Sequence, residues 1–284
     1  MSNSPLIDVA TLARNRTRPD WVVVDCRFTL TQPAAGRAAY DSGHIPGACY
    51  AHLDDDLSRK PSPAEGRHPL PDPAVFAATL GGWGIGPGDT VVAYDEGSGA
   101  VAARLWWMLR WLGHEHCAVL DGGFAAWVEA GHEVEQRSPN LSPRLYPLAE
   151  PRRELVVATS ELAARQATGD VLVDARAAPR YRGEQETIDP VAGHVPRARN
   201  RPFSTNVTPT GRFRPPGELR QELLELLAGR EPSRLIAMCG SGVTACHVLL
   251  AMEIAGLPGG RLYAGSWSEW IRDPARPIAQ GAMP

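Results

Sequence analysis

Cys239 stands in the stretch M-C-G-S-G-V-T-A-C-H, residues 238–247. A thiol at the head of a glycine-rich turn has four chemical uses: nucleophile, metal ligand, half of a disulfide, or small core residue. The chain has five cysteines, Cys26, Cys49, Cys117, Cys239 and Cys246, and no pair has C-x-x-C spacing. That odd count argues against a disulfide framework or a zinc ribbon and fits a reducing cytoplasm. On a helix, Cys246 would lie two turns from Cys239, about 10 Å of rise, too far for an easy disulfide. The H-E-H-C run at 114–117 lacks H-E-x-x-H spacing and reads as a solvated turn between a helix and a strand.

Two readings of Cys239 remain, a nucleophile and a buried filler. Gly240 and Gly242 let the backbone curl until successive N–H groups point inward as an anion-binding nest. RLIAM before the turn reads as a strand, and TACHVLLAMEIAG after it as a helix that stops at Gly256. The helix N-terminus would add its positive end to the nest. An ordinary thiol, with a pKa of about 8.5, is only a few per cent thiolate at neutral pH. A helix dipole contributes about 0.3–1 kcal/mol, and about 2 at best. Loop amides, and a cation brought from elsewhere in the fold, must do the rest.

The positioning elements come twice. WVVVDCR, SGHIPGA, TVVAYDEGSGAVAAR and LDGGFAAW in the first half match VLVDAR, AGHVPRA, RLIAMCGSGVTACH and YAGSWSEW in the second. Asp25 pairs with Asp174, His44 with His194, Asp95 with Cys239 and Phe124 with Trp267, in the same order and at nearly constant offset. The apolar runs VVVD, TVVAY, CAVL, VLVD, LIAM and RLY suit strands buried on both faces. Helical stretches are predicted over 71–83, 99–113, 158–169 and 216–229, the last with a glycine stop at Gly229. The alternation predicts an α/β fold with parallel sheets flanked by helices. It places one domain over 1–135, a proline-rich linker over 136–155 and a second domain over 156–284. Because Asp95 holds the place of Cys239 in the first copy, no shared packing requirement explains the thiol, which favours the nucleophile.

Bulk properties narrow the partners. The chain has 284 residues, 43% hydrophobic and 21% charged, with net charge −3. That is a globular composition without the concentrated basic patch that nucleic acid or a membrane surface would need. No secretory leader and no run of 18 apolar residues is visible, so a cytoplasmic protein is expected.

The tandem layout, the D-x-R and G-H-[IV]-P elements in both halves, and CGSGVTA after a second-half strand resemble the two-domain rhodanese-type sulfurtransferases. The C-G-S-G-V-T loop is similar to that of the 3-mercaptopyruvate branch. The resemblance implies two tandem rhodanese-like domains, with the first non-catalytic because of Asp95. It implies that Cys239 takes a sulfur atom as a persulfide from a small-molecule donor and passes it to a thiol or cyanide, without metal or cofactor. It assigns Gly240, Ser241, Gly242, Val243 and Thr244 to the loop that cradles the sulfur. Ser241 would share proton handling with His68 of GRHPLP and Asp54 of HLDDD. Arg180 of DARAAPRYRG would bind the donor's carboxylate, as a guanidinium fork can. The branch usually carries a second arginine where this chain has Asp189, and Arg182 is the nearest substitute. Thiosulfate is therefore the alternative donor.

A cysteine phosphatase on a related fold would need C-x5-R, and Ala245 stands at the arginine position. A non-catalytic binding module is the competing class, and the first copy suits it. Trp106, Trp107 and Trp111 read as packing residues of one helix, and His44 and His194 as structural. The duplication already supplies a domain–domain interface within one chain, so a monomer is expected.

Overall fold

The computed structural model of the chain describes residues 4–283. It divides into two compact units, one of Met1–Arg59, Leu70–Arg152 and Thr208–Phe213, the other of Lys60–Pro69, Arg153–Val207 and Arg214–Pro284. The first unit runs β1 (Leu6–Ile7), α1 (Val9–Asn15), β2 (Trp21–Asp25), α2 (Ala34–Ser42), β3 (Cys49–Tyr50), α3 (Pro73–Gly82), β4 (Thr90–Tyr94), α4 (Ala102–Trp111), β5 (Cys117–Leu120) and α5 (Gly123–Glu129). Its five strands pair in parallel in the order β1-β5-β4-β2-β3. The second unit runs α6 (Thr159–Ala167), β6 (Val171–Asp174), α7 (Ala178–Arg182), β7 (Arg199–Asn200), α8 (Pro216–Leu227), β8 (Leu235–Met238), α9 (Thr244–Ile254), β9 (Arg261–Leu262) and α10 (Ser266–Trp270). Its four strands are also parallel, in the order β7-β6-β8-β9.

Every apolar run read as a strand forms one, and each central strand is buried on both faces, as covered parallel sheets require. Val23, Val92, Leu120 and Trp127 pack in the first core; Leu172, Ile236, Met238 and Trp267 pack in the second. Helix starts follow local chemistry. Asp72 caps α3 by accepting from the Ala74 amide at 2.8 Å, with Pro73 at the first helical position. Helix α8 stops one residue before Gly229, at Ala228 in the left-handed region, with Gly229 continuing the turn.

The D-x-R and G-H-[IV]-P elements lock together in the same way in both units. Arg27 holds Asp25 through Nε and Nη2 at 2.9 and 2.7 Å, and Nη2 also donates to the Gly43 carbonyl at 2.7 Å. Arg176 repeats the pattern on Asp174 and the Gly193 carbonyl. Each guanidinium lies over an aromatic ring, Phe124 in the first unit and Trp267 in the second. His44 stacks on Tyr40 and His194 on Tyr181, each with ring centroids 3.8 Å apart, and each Nδ1 sits 2.8 Å from that tyrosine's carbonyl.

One expectation changes. His114 of the H-E-H-C run is buried rather than solvated, with Nε2 at 2.9 Å from the Asp89 carbonyl and Nδ1 at 3.0 Å from the Tyr146 hydroxyl. Burial lowers its pKa and favours the neutral ring. The linker segment, largely exposed, is tied to the first unit at Arg144 and Arg152. Arg144 donates to Asp89, and the amides of Arg144 and Arg152 donate to the carbonyls of Gly81 and Trp111. Trp106, Trp107 and Trp111 are all buried on α4.

The buried Asp25–Arg27 pair sets a stability test. Arg27→Met leaves the Asp25 carboxylate uncompensated in a site with no solvent exposure, which should cost about 3–5 kcal/mol. Urea unfolding measures it, and an unchanged midpoint would show that the pair is not structural.

Candidate active site

Strand β8 ends at Met238, and the chain turns through Cys239–Val243 into α9. Cys239 is 2% exposed, and its Sγ accepts from the Gly242 amide at 3.2 Å. Gly242 has φ +79°, and a Cβ there would meet the Ala264 carbonyl oxygen at 2.4 Å, so the turn admits only glycine. The turn before α10 braces the loop from behind. Ser266 donates to the Tyr263 carbonyl at 2.9 Å and accepts from the Cys239 amide at 3.1 Å. The amides of Trp267 and Ser268 donate to the carbonyls of Cys239 and Gly240. Ser266 adopts φ +54°, a conformation that β-carbon residues resist.

The segment Lys60–Pro69, from the first half of the sequence, is part of this second unit. The Arg67 amide donates to Ser268 Oγ at 3.0 Å, and Gly66 lies so close to the Gly265 carbonyl that a Cβ would approach it to 2.5 Å. This contact brings His68 Nδ1 to 2.7 Å from Ser241 Oγ, both side chains buried. It also brings the Arg67 guanidinium to Gly240, where a Cβ would stand 2.9 Å from Nη2 and 3.7 Å from Arg180 Nη1.

Asp189 explains how two guanidiniums share that space. One carboxylate oxygen pairs with Arg67 Nη1, and the other accepts from Arg180 Nη2 at 2.9 Å. Glu186 takes Arg180 Nε at 3.0 Å and the amides of Ile188 and Asp189. Burial pulls the Glu186 carboxyl upward, but these bonds outweigh it and hold the group below the usual carboxylate range. Among the described residues, the buried Nε of Arg67 has no hydrogen-bond partner.

The rhodanese-like domain family matches residues 8–130 and again 158–273. The chain belongs to the rhodanese-like domain family. A Pseudomonas aeruginosa protein named "Probable 3-mercaptopyruvate sulfurtransferase" is 48% identical over 284 residues, covering 99% of this chain and 100% of that protein. The thiosulfate sulfurtransferase of Rattus norvegicus is 34% identical over 270 residues, covering 93% and 90%. The solved 3-mercaptopyruvate sulfurtransferase from Leishmania major superposes with a TM-score of 0.84 at 30% identity, covering 95% of this chain and 75% of that one.

The two rhodanese-like copies fill one nest differently. In the first, the Asp95 carboxylate turns back into its own loop and accepts from the amides of Gly97, Gly99, Val101 and Ala102 at 3.1, 2.9, 2.9 and 3.3 Å. In the second, the Cys239 sulfur accepts only from the Gly242 amide among the described residues. The first loop is filled by its own carboxylate, and the second presents a polarisable sulfur to the same kind of turn.

The structure gathers Cys239, Ser241, His68 and Arg180 in one unit, together with Gly240, Gly242, Val243 and Thr244. Asp54 falls in the first unit, where burial raises its carboxyl pKa ahead of the effects of His52 and Asp55. Arg182 pairs with Glu184 at 2.7 Å on the surface. The loop's second guanidinium is Arg67, which sequence reasoning passed over. Its only sequence signal was adjacency to His68. Cys246 is buried on α9 and donates to the Gly242 carbonyl at 3.3 Å. None of the five cysteines joins a disulfide, and no group of three or more metal-binding side chains forms among the described residues.

Asp95→Ala removes the acceptor shared by four loop amides. It should destabilise the protein by at least about 2 kcal/mol, because buried donors lose their partner. Asp95→Asn should cost less. Thermal and urea midpoints measure both, and an unchanged Asp95→Ala midpoint would refute the closure role.

Proposed function

We propose that the chain transfers sulfur from 3-mercaptopyruvate to a thiol or cyanide, with a Cys239 persulfide as the intermediate. The single observation that carries the donor assignment is the 2.7 Å contact between His68 Nδ1 and Ser241 Oγ, two residues along the loop from Cys239. The Cys239 thiolate attacks the donor sulfur and the donor's carbon–sulfur bond breaks. The electron pair leaves on the pyruvate enolate, which must gain a proton. Ser241 gives it, and His68 re-protonates the serine. An acceptor thiolate then attacks the outer sulfur and releases the Cys239 thiolate. Thiosulfate would leave as sulfite, a stable anion that needs no such relay.

Arg180 and Arg67 hold the donor's carboxylate and keto oxygens, with Asp189 fixing their spacing beside Gly240. Arg182, paired with Glu184, is given no part in donor binding. Asp54 keeps a part in proton handling on resemblance alone. The first rhodanese-like domain, with Asp95 closing its nest, carries no sulfur. Among the described residues no helix is long and apolar enough to cross a membrane. Five cysteines without a disulfide support a cytoplasmic setting, and a monomer without metal or organic cofactor completes the reading.

Ser241→Ala and His68→Gln should each lower turnover with 3-mercaptopyruvate by about 10²–10⁴-fold, the usual worth of positioned proton transfer. With thiosulfate they should have little effect. Cyanide-dependent thiocyanate formation measures both donors, and equal losses would overturn the relay. Cys239→Ser should be inactive and gain no persulfide mass; activity that survives would remove the nucleophile. Arg67→Ala should raise KM for 3-mercaptopyruvate about tenfold, with Arg67→Lys intermediate. An unchanged KM would make Arg67 structural. A wild type inactive with both donors and without a persulfide adduct would favour the binding-module reading.

A further inference from the structure

The paired G-H-[IV]-P turns differ in one way that neither the fold nor sulfur transfer uses. In the first unit the turn ends Pro46-Gly47, with Gly47 at φ +83°. In the second it ends Pro196-Arg197, with Arg197 at φ +65°. The surroundings match: Arg16 donates to the Pro46 carbonyl, and Gln166 to the Pro196 carbonyl. The backbone therefore asks for a left-handed residue at both turns. The first copy supplies glycine, and the second accepts the strain of an arginine.

The segment bridged to each turn changes in the complementary sense. His44 bridges to Glu135 and His194 to Ala279. In the first unit the Glu135 carboxylate accepts from the Gly47 amide. It lines a pocket there with Arg16, Gly47 and Arg137. So this turn, in the first copy, holds an oxyanion supplied by the chain itself. In the second copy Ala279 removes that carboxylate and Arg197 adds a guanidinium.

A pocket of about 240 Å³ opens at this second turn, lined by Gln166, Gly169, Asp170, Arg197, Arg199 and Arg230 among others. Its three arginines have no carboxylate partner among the described residues. Arg197 Nη2 donates to the Gln166 carbonyl, Arg199 Nη1 to Leu226 and Arg230 Nη1 to Leu227. Each such bond fixes a guanidinium while using one of its five N–H donors. The acid in the wall, Asp170, does not neutralise them, because Arg234 and Arg261 take its two oxygens at 2.9 and 3.0 Å. The volume corresponds to several waters, more than one tetrahedral oxyanion fills.

We infer that the pocket at Arg197, Arg199 and Arg230 binds a phosphate dianion, free or as the head of a small phosphate ester. The site is formed by the turn before β7, the end of α8 and the start of β6, and uses none of the residues assigned to sulfur transfer.

Amide chemical shifts of Gly169 and Val171 in the full chain, titrated with inorganic phosphate and with glycerol phosphate at constant ionic strength, test it. Saturable shifts are expected. Tighter binding of glycerol phosphate would identify an ester, and equal affinity free phosphate. Arg197→Gly restores the residue that the first copy uses, in a conformation glycine favours, and should weaken binding about tenfold. Sulfurtransferase activity should be unchanged in this variant. Shifts that rise linearly and equally with chloride, or saturable binding unaffected by Arg197→Gly, would overturn the site.

Discussion

Backbone amides that converge at the end of a buried strand require an acceptor. A buried N–H without one costs about 1–3 kcal/mol, and the turn from strand to helix gathers several. Both rhodanese-like domains face this constraint, and their functions follow from how each meets it. Asp95 answers it with its own side chain: a planar carboxylate accepts hydrogen bonds from four amides on its two oxygens and closes the loop. Cys239 answers it with one sulfur on one amide. A persulfide adds one further atom to that side chain, as the carboxylate oxygens add one beyond the aspartate's own carbonyl carbon. The carboxylate of the first copy thus has the reach that a loaded cysteine would have in the second. Only the second filling can be exchanged.

The cations obey a related rule. Two guanidiniums crowded against one glycine repel each other unless a carboxylate separates them. Asp189 does this, with 1% of its side chain exposed and one oxygen for each arginine. Read along the sequence, an aspartate where an arginine is usual looks like the loss of half the donor site. In the fold it is the anchor for an arginine that arrives from Lys60–Pro69. A cation at this position would leave Arg67 and Arg180 without the acceptor they share.

This marks what the sequence could and could not reveal. The strands were legible because covered parallel strands are continuous apolar runs, and VVVD, TVVAY and LIAM could hardly be anything else. Cys239, Ser241 and Arg180 were legible because loop chemistry is local and the repeat supplied a control. Arg67 was not, because its partners Asp189, Ser268 and Gly240 lie far along the chain and no periodicity links them. His114 was misread for the same reason: its burial depends on Tyr146, in the proline-rich linker far along the chain. The short strands β3 and β7 carry two residues each, too few for a pattern.

Relatives that share this scaffold bear the names of two sulfurtransferases with different donors. The scaffold cannot by itself choose between them, because thiolate attack and persulfide formation are common to both. The two reactions differ in the leaving group. Breaking a carbon–sulfur bond produces an enolate, a strong base that reverts unless it is protonated at once. Breaking the sulfur–sulfur bond of thiosulfate produces sulfite, which is stable as it leaves. A site for the first donor must therefore keep a transferable proton beside the thiolate without delivering it to the thiolate itself. Holding that proton on Ser241, backed by His68 and set two residues along a glycine-hinged loop, meets both demands. On this reading, donor choice lies less in the arginines, which would grip either anion, than in the serine–histidine contact.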